Sequence, residues 1–97
     1  MIMEKKFLYT LIINYLKGTY IYQTMAQDEL DAFSIWVNSI NDKTYEGIDK
    51  TDSKNIITKM ENDPPQLISG ALNCWCADIP NFKGNYLSIN IVKTYEK

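Results

Sequence analysis

Residues 5–26, KKFLYTLIINYLKGTYIYQTMA, constrain the fold of this 97-residue chain more than any other stretch. β-branched and aromatic side chains crowd both sides of Lys17-Gly18, a pattern that predicts two strands joined by a tight turn. Glycine takes positive φ at low cost, so it suits either a two-residue turn or a type I turn with a bulge. The two registers differ in outcome, because a slip of one residue exchanges the faces of a strand. A two-residue loop sets Tyr15 opposite Tyr20 and Ile13 opposite Tyr22. A bulged loop sets Ile13 opposite Ile21 and leaves Tyr20 and Tyr22 on the other side, beside Asn14 and Ile12.

The period then changes. In AQDELDAFSIWVNSIN, Leu30, Phe33, Val37 and Ile40 recur at three and four residues with Trp36 beside them, the spacing of an amphipathic helix. Asp28 is positioned as its N-cap, with Asp31 three residues on, and acids suit the first turn. A polar connector follows, with Gly47 in it. DSKNIITKMEND places Ile56, Ile57 and Met60 on one side of a short second helix, capped at Asp52 or Ser53 and closed before Pro64-Pro65. A third strand is predicted over Leu72–Ile79, a turn at PNFKG, and a fourth strand in NYLSINIVKTYE, where Leu87, Ile89 and Ile91 share a face opposite Ser88 and Asn90.

The order β-β-α-α-β-β with hairpins at both ends implies one α+β domain over residues 1–97. The expected architecture is a two-layer sandwich: a mostly antiparallel four-stranded sheet with both helices on one face. Leu30, Phe33, Trp36, Val37 and Ile40 would lie on the sheet.

Charge narrows the partners. The ten basic residues are all lysine and the net charge is −2, so nucleic-acid binding is not expected. Acid is concentrated between residues 28 and 63, where the balance is −5 against +2 before it and +1 after it. The uncharged, mostly apolar run Phe7–Leu16 is too short to span a bilayer, which needs about 20 apolar residues. The N-terminal stretch shows no small-residue cleavage site, and a cytoplasmic protein without membrane contact is expected.

Several chemistries are excluded by what the chain lacks. Without histidine there is no Ser-His-Asp or Cys-His nucleophile. Cys74 and Cys76 flank Trp75 on a predicted strand, which puts both thiols on one face roughly 6.5–7 Å apart, too far for a comfortable disulfide. Two thiols also fall short of the four ligands of structural zinc. Both read as core-strand residues, and no metal or cofactor is expected. The four glycines are isolated turn residues rather than a phosphate cradle.

A small non-enzymatic interaction protein is the function these features favour: an inhibitor, an immunity-like protein or a regulatory factor. Its partner-binding residues would be a tyrosine-rich open sheet face (Ile12, Tyr20, Ile21, Tyr22) or the acidic helical segment (Asp28, Glu29, Asp31, Asp49, Asp52). Exposed tyrosines favour another protein or a second copy of this chain. The acids favour a protein with a basic surface and salt-sensitive association. The alternative is a small-molecule or peptide binder with a pocket between the first helix and the sheet, lined by Trp36, Trp75 and Tyr9. A carboxylate enzyme built around Asp78 is a third reading.

Overall fold

The computed structural model describes residues 5–94. The elements are β1 (Phe7–Tyr15), β2 (Gly18–Ala26), α1 (Glu29–Ser39), a 3-10 turn (Lys50–Asp52), α2 (Ser53–Asn62), β3 (Gln66–Leu67), β4 (Cys74–Phe82) and β5 (Asn85–Thr94). They form an α+β fold with one antiparallel sheet of five strands in the order β2-β1-β5-β4-β3. The expected count of four strands is corrected by β3, two residues beside Cys76 and Trp75, too short to leave an alternating pattern. Positions 95 and 96, expected to end the last strand, lie outside the described residues. Among the described residues no helix is long and apolar enough to cross a membrane.

Both expected registers of the first hairpin give way to a third. Tyr15 pairs with Gly18, Ile13 with Tyr20 and Ile12 with Ile21, so the loop is Leu16-Lys17. Burial of Tyr15 accounts for this. Its hydroxyl donates to the Phe82 carbonyl at 3.2 Å and its ring meets Phe82 edge-on at 5.5 Å, which keeps Tyr9, Leu11, Ile13 and Tyr15 on one buried face. The turn then falls one residue early, with Leu16 at φ 55°.

Gly18 serves a purpose other than the turn. The Tyr20 ring folds back over it, and a Cβ there would stand 2.5 Å from the Tyr20 hydroxyl oxygen. Gly18→Ala is therefore expected to push the ring off Tyr45 and cost about 1–2 kcal/mol, measurable by thermal or urea unfolding. The second hairpin also tightens relative to expectation. β4 continues through Pro80 across an irregularity between Ile79 and Phe82, and the turn is Lys83-Gly84, with φ 52° and 81°. Positive φ at both loop residues is the hairpin geometry that matches strand twist.

α1 starts where its cap predicts. Asp28 accepts from the Asp31 amide at 2.8 Å, and Asp31 accepts from the Gln27 amide at 3.0 Å. The core joins Tyr9, Leu11, Ile13 and Tyr15 of β1, Ala77, Ile79 and Phe82 of β4 and Leu87, Ile89 and Ile91 of β5 to one stripe of each helix. Phe33, Trp36, Val37 and Ile40 pack there as expected, with Ala32 added. Leu30 does not; it is 49% exposed and lines a groove beside Ile57, Met60 and Pro64 instead.

Asp52 is the buried charged residue of the described chain, 4% exposed. Its Oδ2 accepts from Lys83 Nζ at 2.7 Å and from the Asp49 amide at 2.8 Å. Asp49 and Asp52 form a capping box on the 3-10 turn, and the Asp49 carboxylate also accepts from the Thr51 amide at 2.9 Å and from its hydroxyl. Asp52 precedes α2 but makes no side-chain cap to it. Its carboxylate joins the connector to the β4–β5 turn instead.

Candidate interaction surface

Side-chain alternation gives the sheet two faces, and the helices cover only one. The odd residues of β1, β4 and β5 supply the core up to Ile79, and their even neighbours point the other way. In register, the uncovered rows run Gln23–Thr10–Val92–Cys74, then Ile21–Ile12–Asn90–Cys76–Gln66, then Thr19–Asn14–Ser88–Asp78. Leu8, paired with Met25, stands at one end, and Tyr86 at the other. No residue in these rows is fully buried.

The composition of this face is its distinguishing property. Across five strands it carries Thr, Asn, Gln, Ser, Cys and aliphatic side chains, and one charge, Asp78. Solvated faces are normally dressed with Lys and Glu, whereas interface cores are depleted of charge. Thr10 and Gln23 are joined by a side-chain hydrogen bond of 2.9 Å, and Asn14 and Thr19 by one of 2.7 Å, so part of the polar surface is already self-satisfied.

Asp78 differs from its surroundings. Its Oδ2 accepts from the Tyr86 hydroxyl at 2.8 Å, while its Oδ1 is buried and has no hydrogen-bond partner among the described residues. That hydrogen bond, reinforced by desolvation and the nearby negative charge, holds the Tyr86 phenol above its usual range. A buried acceptor without a donor is costly and uncommon in folded proteins.

Two of the four expected open-face residues, Ile12 and Ile21, are cross-strand neighbours on this surface, and Ile21 is 68% exposed. Tyr20 and Tyr22 are not there, because the observed register turns them toward the helices. Tyr20 stacks edge-on against Tyr45 at 4.9 Å, and its hydroxyl accepts from the Glu46 amide at 3.2 Å. Apart from Tyr86 at one end, the open face is thus one of small polar and aliphatic residues rather than tyrosines.

The acidic residues do not gather into one patch. Asp28, Glu29 and Asp31 start α1. Asp49 and Asp52 lie at the other end of that helix, where Ser53 Oγ donates to the Val37 carbonyl at 3.2 Å. Nine residues of helix separate the groups by about 13 Å. Thr51 hydrogen bonding holds the Asp49 carboxyl below its ordinary range, and Asp52 is buried in its ion pair, so both have internal tasks.

The residues expected around a pocket between α1 and the sheet are packed. Trp36 is 0% exposed, and its indole N–H donates to the Tyr45 hydroxyl at 2.9 Å; Tyr9 lies against the half-buried Trp75 at 6.2 Å. Burial pushes the Tyr45 phenol up, while the Trp36 bond opposes this. A groove of 320 Å³ opens elsewhere, between α1 and α2, lined by Leu30, Phe33, Ile57, Met60 and Pro64. Cys74 and Cys76 are free thiols on the open face, and among the described residues no three His, Cys, Asp or Glu side chains converge on a metal position. Compared with known proteins, the chain matches no family model, no curated protein and no solved structure.

Proposed function

We propose that this chain is a protein-interaction module that docks another protein against the uncovered face of its sheet. One observation carries the reading: five strands present a continuous surface with a single charge, and among the described residues no helix lies over it. Ile12, Ile21, Val92 and Leu8 would supply apolar contact. The acidic segment is the weaker option, since it divides between two ends of α1.

A face with a single charge predicts association that is nearly indifferent to salt. The affinity for a docked partner is expected to change less than about threefold between low and high ionic strength, where a charge-steered contact would lose far more. Asn90→Lys plants a charge in the middle row and is expected to abolish retention of the partner from the native cell. Lys54→Glu, on the exposed side of α2, is expected to keep it. A partner retained equally by all three proteins would overturn the reading.

A second reading, a peptide or small-molecule binder, is favoured by one observation, the apolar groove between α1 and α2. Its volume lies near the lower bound for ligand sites. A Leu30→Asp variant that loses a ligand while Asn90→Lys keeps it would select this reading instead.

A further inference from the structure

We propose that β2 is the seam of a symmetric homodimer, in which the strand pairs antiparallel with its counterpart in a second copy of this chain. β2 is an edge strand, the first in the sheet order, and nothing in its sequence GTYIYQTMA blunts that edge. Natural edges are protected by charge, proline, bulges or short length. Here nine residues pair with β1 without a register shift, and none is charged or proline.

The hydrogen-bonding groups available are set by the turn. Tyr15 and Gly18 close a two-residue loop, so the alternation of an antiparallel ladder turns Gly18, Tyr20, Tyr22, Thr24 and Ala26 toward β1. The amides and carbonyls of Thr19, Ile21, Gln23 and Met25 point outward. The Met25 carbonyl accepts from Thr24 Oγ1 at 3.3 Å; no hydrogen bond to the outward groups of Thr19, Ile21 or Gln23 is seen among the described residues.

Charge at the strand ends favours a second copy over a foreign strand. Full pairing of nine residues sets the twofold axis through Tyr22, with Thr19 opposite the partner's Met25 and Ile21 opposite the partner's Gln23. Lys17, exposed in the turn before β2, then lies beside the partner's Gln27, next to the acids Asp28 and Glu29 that follow. The twofold axis repeats this contact at the other end. The remainder of the seam is neutral, so two identical edges meet without repulsion.

A strand of about 30 Å, with its flanking side chains, would bury roughly 500–600 Å² from each copy, the low end for a specific interface. A dimer dissociating in the micromolar range is therefore expected. Pairing would also set the half-buried Tyr20 and Tyr22 against a neighbour and join two open faces into one surface of ten strands.

Light scattering after size exclusion, from about 10 to 500 μM, tests this. The mass is expected to rise toward twice 11.3 kDa with concentration. Gln23→Pro removes an outward N–H without touching the β1 ladder and is expected to stay monomeric. Lys17→Glu is expected to raise the dissociation constant about tenfold, and Asn90→Lys, on the docking face, to leave it unchanged. Residue-resolved hydrogen exchange on the unmodified chain supplies a test free of folding effects: the Ile21 and Gln23 amides slow as concentration rises. A monomer throughout, a dimer that survives Gln23→Pro, exchange independent of concentration, or loss of the dimer in Asn90→Lys would each overturn the seam. Failure of the seam leaves docking on the sheet face standing, and the reverse also holds.

Discussion

Replacing Trp36 with alanine is expected to lower the unfolding free energy by about 4 kcal/mol, the range found when a large aromatic is removed from a packed core. Trp36 is 0% exposed, its ring meets Phe33 at 5.5 Å and Tyr45 at 6.1 Å, and its N–H donates to the Tyr45 hydroxyl. Truncation leaves a cavity beneath α1 and strips the buried tyrosine hydroxyl of its donor. Domains of this size hold about 5–15 kcal/mol in total, so a substantial unfolded fraction is expected at room temperature. Urea unfolding measures it: the midpoint should fall with an unchanged slope. Trp36→Phe keeps much of the packing and should lose about half as much. Trp75→Ala, half-buried at its own position, should cost less than Trp36→Ala.

The second large effect is at Asp52. Asp52→Ala removes the acceptor for Lys83 Nζ and for the Asp49 amide together, and about 3 kcal/mol of destabilisation is expected. Lys83→Met should cost less, about 2 kcal/mol, because the carboxylate keeps the Asp49 amide while losing its cation. A double-mutant cycle separates the pair from the packing. Lys83 also sets the pH behaviour. The Asp52 hydrogen bond, and then its charge and that of Asp49, raise the Lys83 ammonium above its usual 10.5. A raised folded value means the contribution is fully present below pH 10.5 and is lost as pH climbs through the higher folded value. The stability gap between the natural chain and Asp52→Ala should therefore be constant from pH 7 to 10 and narrow above 10.5.

What was legible in the sequence followed local physics. The cap at Asp28, the α1 stripe and the alternation of Leu87, Ile89 and Ile91 against Ser88 and Asn90 all lie within a few residues of their causes. The register of the first hairpin was hidden because its cause is distant. Tyr15 is held by Phe82, 67 residues away, and Gly18 drew attention to positive φ when its use is to make room for Tyr20. Relative to the bulged loop the pairing is shifted by one residue, which turns Tyr20 and Tyr22 to the helix side; the expected two-residue loop already had them on that side. Asp52 and Lys83 are 31 residues apart, and neither stretch signals the pair. The charge-poor face could be seen only when β1, β2, β4 and β5 were laid side by side, since each strand alone looks like an ordinary alternating one. Cys74 and Cys76 show the same thing on a small scale: they belong to that face, with Trp75 turned to the helix side against Tyr9.

The most direct test of docking on this face is methyl NMR of the chain titrated with a partner it retains. Shifts are expected at Ile12, Ile21, Val92 and Leu8, with Leu30 and Ile57 unmoved. Shifts at Leu30 and Ile57 with a silent sheet face would contradict the account and place the partner in the groove between the helices.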